Sequence, residues 1–114
     1  MNGSRFFPGT HFVSGVRELV RGREQEVLGK LMPLVHQRSV RLDLSSMERI
    51  DAAGLAALVS LFCEARKAGH EFAVVNPPRR VARILAIVGL DRILMPKDLG
   101  ETLASAPRMD MIAA

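Results

Sequence analysis

Apolar and polar residues follow two different periods along the chain, and each switch between periods marks a predicted element. Positions 40–44 alternate, which is typical of a strand with one buried face. Positions 72–75 are continuously apolar, as expected for a strand buried in a parallel sheet. The poorer alternation over 16–20 and the apolar triplet 93–95 predict two further short strands.

Helical spacing of apolar residues fills the segments between these strands. A first stripe follows Gly22, a candidate helix cap, but Pro33 lies inside it, so we expect that helix to kink or end near Met32. Asp51 is placed to cap a second helix that ends at Gly69. The side chains expected to face the core from this second helix are Leu55, Leu58, Val59 and Phe62.

A third helix is predicted over 81–88, closed by Gly89, and a last short one over 98–105. Strands separated by helices of this length require crossover connections, which favour parallel pairing. The sequence therefore predicts an α/β fold: a mixed, largely parallel sheet of four to five short strands with three to four helices. An antiparallel element is considered at the N-terminal edge.

Composition restricts the classes of protein that fit this pattern. The chain has 114 residues, 48% of them hydrophobic and 25% charged, as in one soluble globular domain. The longest nearly apolar run, 52–63, is too short to span a membrane, and no apolar leader segment follows Met1. We expect a single domain over 15–106, an arm or short strand over 1–14 and a flexible tail over 107–114.

The one cysteine, Cys63, excludes an intramolecular disulfide framework and is expected to be a buried thiol. This cysteine usage fits a reducing cytoplasm, where we expect the protein to act.

The net charge of +4 comes entirely from residues 1–41, which hold seven Arg or Lys and three Glu. No aromatic residues interleave with the basic ones, so a nucleic-acid partner is not expected. Arginines also mark the third helix, at Arg79, Arg80 and Arg83, where either a solvated face or contact with an acidic partner would explain them.

Candidate chemistry is sparse. The three histidines, His11, His36 and His70, have no metal-ligand spacing and are expected in turns or on the surface. We find no paired nucleophile and base and no glycine-rich phosphate loop. No catalytic residue, metal or cofactor is therefore predicted. A small enzyme or nucleotide binder is the alternative class, which a nucleotide-dependent shift in thermal melting would reveal.

One segment resembles a known family. Residues 40–58 combine a strand that ends in Asp43-Leu44 with Ile50, Asp51 and Gly54-Leu55 at the start of a helix. This order and spacing resemble the signature of the STAS domain, found in sulfate transporters and bacterial anti-sigma factor antagonists. Downstream, Val74–Pro77 and Gly89-Leu90 resemble the second half of that domain, so the resemblance covers about half of the chain and implies a STAS-like fold.

The resemblance departs from the family at its phosphorylation site. Many antagonists carry Asp-Ser-Ser-Gly, and a partner kinase phosphorylates the second serine; here those positions are Ala52 and Ala53. Alanine has no hydroxyl, so Ala53 is a degenerate phosphosite. The resemblance then implies an antagonist that is always competent to bind or is controlled by another route.

A partner-binding surface is expected at the same place. The start of the second helix is rich in small side chains that permit close approach, although alanine is also simply the best helix former. The predicted partner-binding residues are Ser45, Ser46, Asp51, Ala52, Ala53, Gly54, Ala56, Ala57 and Ser60.

The resemblance implies a non-catalytic interaction module whose partner is an anti-sigma factor or related serine kinase, so that binding regulates transcription. Two alternatives stay open: a STAS accessory subunit that binds the ATPase of a bacterial lipid-transport ABC system, and a scaffold in a signalling assembly. A weak homodimer is also considered.

Overall fold

Three short strands form a parallel sheet in the order β1-β3-β5. The computed structural model of the protein describes residues 9–96. Within them β1 is His11–Val13, β3 is Val40–Asp43 and β5 is Phe72–Val75. His11 aligns with Val40, and Val40 with Phe72. A separate parallel pair joins β2 (Glu18–Leu19) to β4 (Arg49–Ile50).

Four helices connect or follow the strands of this part of the chain. They are α1 (Glu24–Gln37), α2 (Ala52–Lys67), α3 (Arg79–Ile87) and α4 (Asp91–Leu94). The α/β class, the number of strands and the number of helices are therefore confirmed. Every paired strand within residues 9–96 is parallel, including β1 with β3 at the N-terminal edge, so the antiparallel element considered there does not occur in these residues.

The core lies between the sheet and the helices. Every second residue of β3 and β5 is buried, because successive side chains of a strand point to opposite faces. The helices contribute the fully buried leucines, and the main members of the core are Leu19, Leu31, Val35, Leu42, Leu44, Leu58, Leu61, Val74, Leu85 and Leu94.

Helix α1 continues through Pro33, so of the two expected outcomes, a kink or an end near Met32, the end is wrong. Leu31 and Val35, on either side of the proline, are both buried, and Pro33 itself is exposed. Burial of the apolar side chains of α1 therefore outweighs the loss of the backbone hydrogen bond that Pro33 cannot donate. The helix also starts one residue later than expected: Arg23 is the cap, and Gly22 donates its N–H to Glu24 Oε1 at 2.7 Å.

The buried face of α2 differs from the predicted one. Gly54, Ala57, Leu58, Leu61 and Ala65 are buried, whereas three of the expected core side chains, Leu55, Val59 and Phe62, are only half-buried. Cys63 is exposed and is not the buried thiol expected. The buried face of α2 is thus rotated about the helix axis relative to the predicted face. Packing explains the difference, since the small side chains of this glycine- and alanine-containing face let α2 approach its neighbours closely.

Glycines end α2 and α3 as predicted. In each case a glycine with positive φ follows the cap: Gly69 at 82° and Gly89 at 82°. After Gly89 the N–H of Leu90 bonds the Leu85 carbonyl at 2.9 Å, the arrangement of a Schellman motif. The chain then re-enters a helix at once, so the strand predicted over 93–95 is wrong. Residues 1–8 and 97–114, with the predicted helix 98–105 and tail 107–114, lie outside the described residues.

Two histidine contacts join α1 to α2 and to the segment that follows α2, at the edge where the strands begin. His36 Nε2 lies 3.0 Å from Glu64 Oε1, and His70 Nδ1 lies 2.8 Å from the Val35 carbonyl. His36 is exposed and His70 is half-buried. These contacts give both histidines a structural partner at the edge opposite the candidate site.

Candidate functional site

The predicted partner-binding residues lie at the carboxyl ends of the parallel strands. The chain leaves β3 at Asp43 and β5 at Val75 on this edge, and α2 and α3 both begin nearby. Open α/β sheets commonly present their binding residues at this edge, because the loops that connect strand to helix meet there.

Asp51 joins two separate segments at the start of α2. Its Oδ1 accepts a hydrogen bond from the Gly54 N–H at 3.0 Å, which is the expected helix cap. Its Oδ2 accepts from the Arg21 N–H, also at 3.0 Å. The N–H groups of Arg21 and then Gly54 lower the pKa of Asp51, because they stabilise the ionised carboxylate.

The lowered pKa of Asp51 predicts an acid-dependent loss of stability. A carboxyl whose folded pKa is depressed stabilises the fold above its unfolded pKa, near 4, and this contribution disappears as the pH falls through the folded value. We therefore expect Asp51→Asn to lower the melting temperature at pH 7, with a difference from wild type that narrows below about pH 4.

The control for this experiment is Glu71→Gln, which alters an exposed carboxyl side chain on the far edge of the sheet. Thermal melting followed by circular dichroism at several pH values measures both variants. A constant difference between Asp51→Asn and wild type from pH 7 to pH 3 would contradict the role assigned to the carboxylate.

Gly54 lies where α2 touches the backbone of the β2 segment. A Cβ atom at this position would overlap the Leu19 carbonyl oxygen and lie 2.8 Å from its carbonyl carbon. The same Leu19 oxygen accepts a hydrogen bond from the Asp51 N–H at 3.3 Å. Only glycine therefore allows the start of α2 to pack this closely on Leu19.

The loop between β3 and β4, residues 44–48, is fixed at its start by Asp43. The two oxygens of this carboxylate accept hydrogen bonds from the Ser45 hydroxyl at 2.9 Å, the Ser45 N–H at 3.2 Å and Asn76 Nδ2 at 3.2 Å. These donors, with the Ser45 hydroxyl first, lower the pKa of Asp43. Asn76 has a φ of 54°, a left-handed conformation that asparagine tolerates better than most residues.

The same loop is fixed at its end by Glu48. The Arg17 carbonyl accepts the Glu48 N–H at 2.7 Å, and the Arg17 side chain pairs with Glu48 Oε2 at 2.9 Å. From the other side Arg80 Nη2 donates to the Glu48 carbonyl at 2.7 Å. Ser45 and Ser46 are thus exposed on a loop whose two ends are both anchored.

The structure separates the predicted site residues into two groups. Ser45, Ser46, Asp51, Ala52, Ala56 and Ser60 are exposed, and Ala53 is half-exposed. These seven residues form what we call the Asp51 surface. Gly54 and Ala57 are buried, Ala57 to 2% exposure, and they pack α2 on the core, so they are not counted in the Asp51 surface. Their contact with a partner stays a prediction.

Sequence reasoning missed the residues that hold the loops. Arg17, Glu48, Arg80 and Asn76 contribute through long-range contacts, and only Asn76 had a local signal. An asparagine directly after a buried strand and before Pro77 marks a turn at the carboxyl end of the sheet.

A cleft of about 280 Å³ separates the start of α2 from α3. Its lining combines four charged residues, Glu48, Arg49, Asp51 and Arg80, with four apolar ones, Val20, Ile50, Val81 and Ile84. A larger groove of about 720 Å³ lies between the β1–β2 connection and α1, but none of the predicted site residues line it.

Within residues 9–96, no three His, Cys, Asp or Glu side chains are grouped to hold a metal ion. No helix of this region is long and apolar enough to cross a membrane.

The fold agrees with the family that the sequence matches. The model of the family described as "Mlab, STAS domain" matches residues 16–96, which is most of the chain. The chain therefore belongs to the STAS domain family, and the resemblance is confirmed.

Among curated proteins, a Thermotoga neapolitana protein is 40% identical over 55 residues, 48% of this chain and 49% of its own length. It is named as a candidate anti-sigma factor antagonist, a TM1081 homolog. The match to this chain spans about half the length of the curated relatives.

Solved structures share the fold over a longer stretch. The crystal structure of a candidate anti-sigma factor antagonist of Thermotoga maritima superposes with a TM-score of 0.69 and 22% identity, covering 86% of this chain and 87% of that one. The anti-sigma factor antagonist SpoIIAA in its unphosphorylated form gives a TM-score of 0.65 and 15% identity, covering 86% and 88%. At these identities the likeness concerns the fold.

Proposed function

We propose that this chain is a non-catalytic interaction module of the anti-sigma factor antagonist type. It binds an anti-sigma factor or related serine kinase in the cytoplasm through the Asp51 surface, and thereby regulates transcription. The observation that carries the proposal is the combination of small exposed side chains at the start of α2 with a neighbouring loop anchored at both ends. The names of the curated relatives support the choice of partner.

The geometry of the Asp51 surface suits docking without rearrangement. Ala52, Ala56 and Ser60 lie on one side of α2, so the partner can approach its backbone closely. Asp51 already uses both carboxylate oxygens on Arg21 and Gly54, so it shapes this surface rather than serving as a mobile contact. An ordered surface reduces the entropy lost on binding.

Ala53 removes the usual means of control. A phosphate adds about −1.5 to −2 charges at pH 7 and, at an interface, opposes docking by repulsion or desolvation. Without a hydroxyl at position 53 this modification cannot occur there, so the proposed antagonist is controlled by its amount or by its partners.

Ala53→Asp combined with Ala56→Lys tests the surface. An aspartate in the first turn of α2 suits the helix dipole, and Ala56 is exposed, so the variant is expected to fold. We expect it to lose the partner, because charged side chains replace the small ones. The matched control is Gln37→Asp with Ala68→Lys, which introduces the same two charges at exposed positions at the C-terminal ends of α1 and α2.

The readout is the set of proteins that each tagged variant recovers from a lysate of its own cells, identified by mass spectrometry. A small kinase-like ATPase or a sigma-binding protein, recovered by wild type and control and lost by the Ala53→Asp/Ala56→Lys variant, is the expected result. If the folded Ala53→Asp/Ala56→Lys variant recovered that protein as well as wild type does, the Asp51 surface would not be the docking site.

A second candidate function follows from one sequence detail. Ala53-Gly54-Leu55 also fits the Asp-Thr-Ala-Gly-Leu segment of STAS subunits that assist bacterial lipid-transport ABC systems. Recovery of an ABC ATPase and its permease in the same experiment would favour this function and leave the binding surface unchanged.

A further inference from the structure

The outer side of α3 carries an unusual combination of exposed residues. Arg79, Arg83 and Ile87 succeed one another at intervals of four residues, which places them in one row along the helix. Ile84 lies beside this row and lines the cleft next to Asp51. We call these four residues, Arg79, Arg83, Ile84 and Ile87, the α3 ridge.

The two arginines of the α3 ridge have no acidic partner in the described part of the chain. Some other exposed arginines there do: Arg17 pairs with Glu48 at 2.9 Å, and Arg49 lies 3.5 Å from Glu18. Neither Arg79 nor Arg83 takes part in an ion pair within residues 9–96. Two neighbouring unpaired positive charges favour an acidic contact.

Apolar side chains at the C-terminal end of α3 are largely exposed to solvent. Ile87 is 74% exposed and the adjacent Val88 is 51% exposed. A single exposed apolar side chain is ordinary, but here two adjoin each other at the C-terminal end of a row that begins with two arginines. A partner that covers Ile87 would bury apolar surface next to the charge contacts.

We propose that the protein partner of the Asp51 surface extends across the cleft and contacts the α3 ridge with an acidic segment that carries an apolar side chain. This inference rests on the proposed function and adds a second contact region to it. Arg80 connects the two regions. Its guanidinium donates a hydrogen bond to the Glu48 carbonyl of the loop, and Arg79 and Arg83 lie on the same helix as Arg80. The acidic segment pairs with these two arginines, and its apolar side chain packs on Ile87.

Two ridge variants test the charged and the apolar contacts separately. Arg79→Glu/Arg83→Glu reverses both charges, and Ile87→Ser removes the apolar end; all three positions are exposed, so both variants are expected to fold. The charge control is Lys30→Glu/Arg38→Glu, which makes the same change in net charge at two exposed positions on or next to α1.

The probe is the partner protein that wild type recovers, once identified and purified, and binding kinetics are measured by biolayer interferometry. We expect the arginine variant to slow association about tenfold at about 50 mM salt, with a smaller effect at about 1 M salt. Ile87→Ser should speed dissociation at both salt concentrations, and the α1 control should bind like wild type.

The outcomes separate this inference from the proposed function. If Ala53→Asp/Ala56→Lys abolishes binding while both ridge variants bind like wild type, the ridge contact is refuted and the proposed function stands. If ridge variants lose binding while Ala53→Asp/Ala56→Lys keeps it, the two regions are not one interface, and both proposals fail as stated.

A lipid surface is the competing occupant of the ridge. Vesicles of phosphatidylglycerol and phosphatidylcholine, sedimented with wild type and with Arg79→Glu/Arg83→Glu, test it directly. Binding of wild type that the arginine variant loses would assign the ridge to an anionic membrane and overturn the inference of an acidic protein segment. Absence of vesicle binding, with the kinetic effects above, supports that inference.

Discussion

Replacing Gly54 by alanine is expected to destabilise the protein by at least about 3 kcal/mol. Alanine in a helix normally stabilises relative to glycine by about 1 kcal/mol, so the expected sign is the reverse of the usual one. The reason is the Leu19 carbonyl, which occupies the position that a Cβ atom would need, while Ile50 Cγ1 lies 3.0 Å from that position on another side. Backbone atoms cannot move aside without displacing β2 or the start of α2.

Gly29 provides a matched control in the same protein. It also lies within a helix, α1, and a Cβ atom there would have no neighbour within 4 Å. We expect Gly29→Ala to stabilise the fold by about 0.5–1 kcal/mol. Chemical denaturation of both variants measures the two effects. A Gly54→Ala protein as stable as wild type would show that α2 does not seat against Leu19 as described.

The second large effect is expected at Leu58. This side chain is fully buried at the centre of the inner face of α2, so truncation to alanine leaves a cavity as well as losing apolar burial. We expect Leu58→Ala to lower the free energy of unfolding by about 2–5 kcal/mol. Urea denaturation with an unchanged slope would assign the loss to the folded state.

Ile87→Ala is the counterpart on the surface. The side chain is 74% exposed, so its truncation should change the free energy of unfolding by less than about 0.5 kcal/mol. A large loss of stability in Ile87→Ala would mean that Ile87 belongs to the packed fold, and it would then be unsuitable as part of a docking ridge.

Local signals were sufficient for most of the architecture. The alternation of Val40–Asp43 and the apolar run of β5 located the central strands, and Asp51 and Gly69 located both ends of α2. Each of these signals acts within a few residues of the element that it defines. The likeness of residues 40–58 to the STAS signature then identified the family.

Predictions failed where long-range packing decides the outcome. Pro33 was expected to kink or end α1, but the helix does not end there, because burial of Leu31 and Val35 on either side of the proline maintains it. The helical spacing of apolar residues in α2 was compatible with burial of either of two neighbouring faces of the helix. The close contact of Gly54 with Leu19, which connects residues 35 apart, selected the face that contains Leu61.

The contacts that build the candidate site could be predicted from the sequence only in part, and its role in binding stays a prediction. Small residues at the start of α2 were identified from the sequence, yet two of them, Gly54 and Ala57, support the surface from inside. The contacts of Arg17 and Arg80 with Glu48 join segments about 31 residues apart, and no local pattern encodes them.

The exposed position of Cys63 makes the proposed interface accessible to direct observation. It follows Ala56 and Ser60 along the outer side of α2, and it is the only cysteine in the chain. A thiol-reactive fluorophore would therefore label the natural protein at one defined place, with no cysteine to remove elsewhere. Since the dye would be attached at the border of the Asp51 surface, changes in its emission would report docking and release in real time.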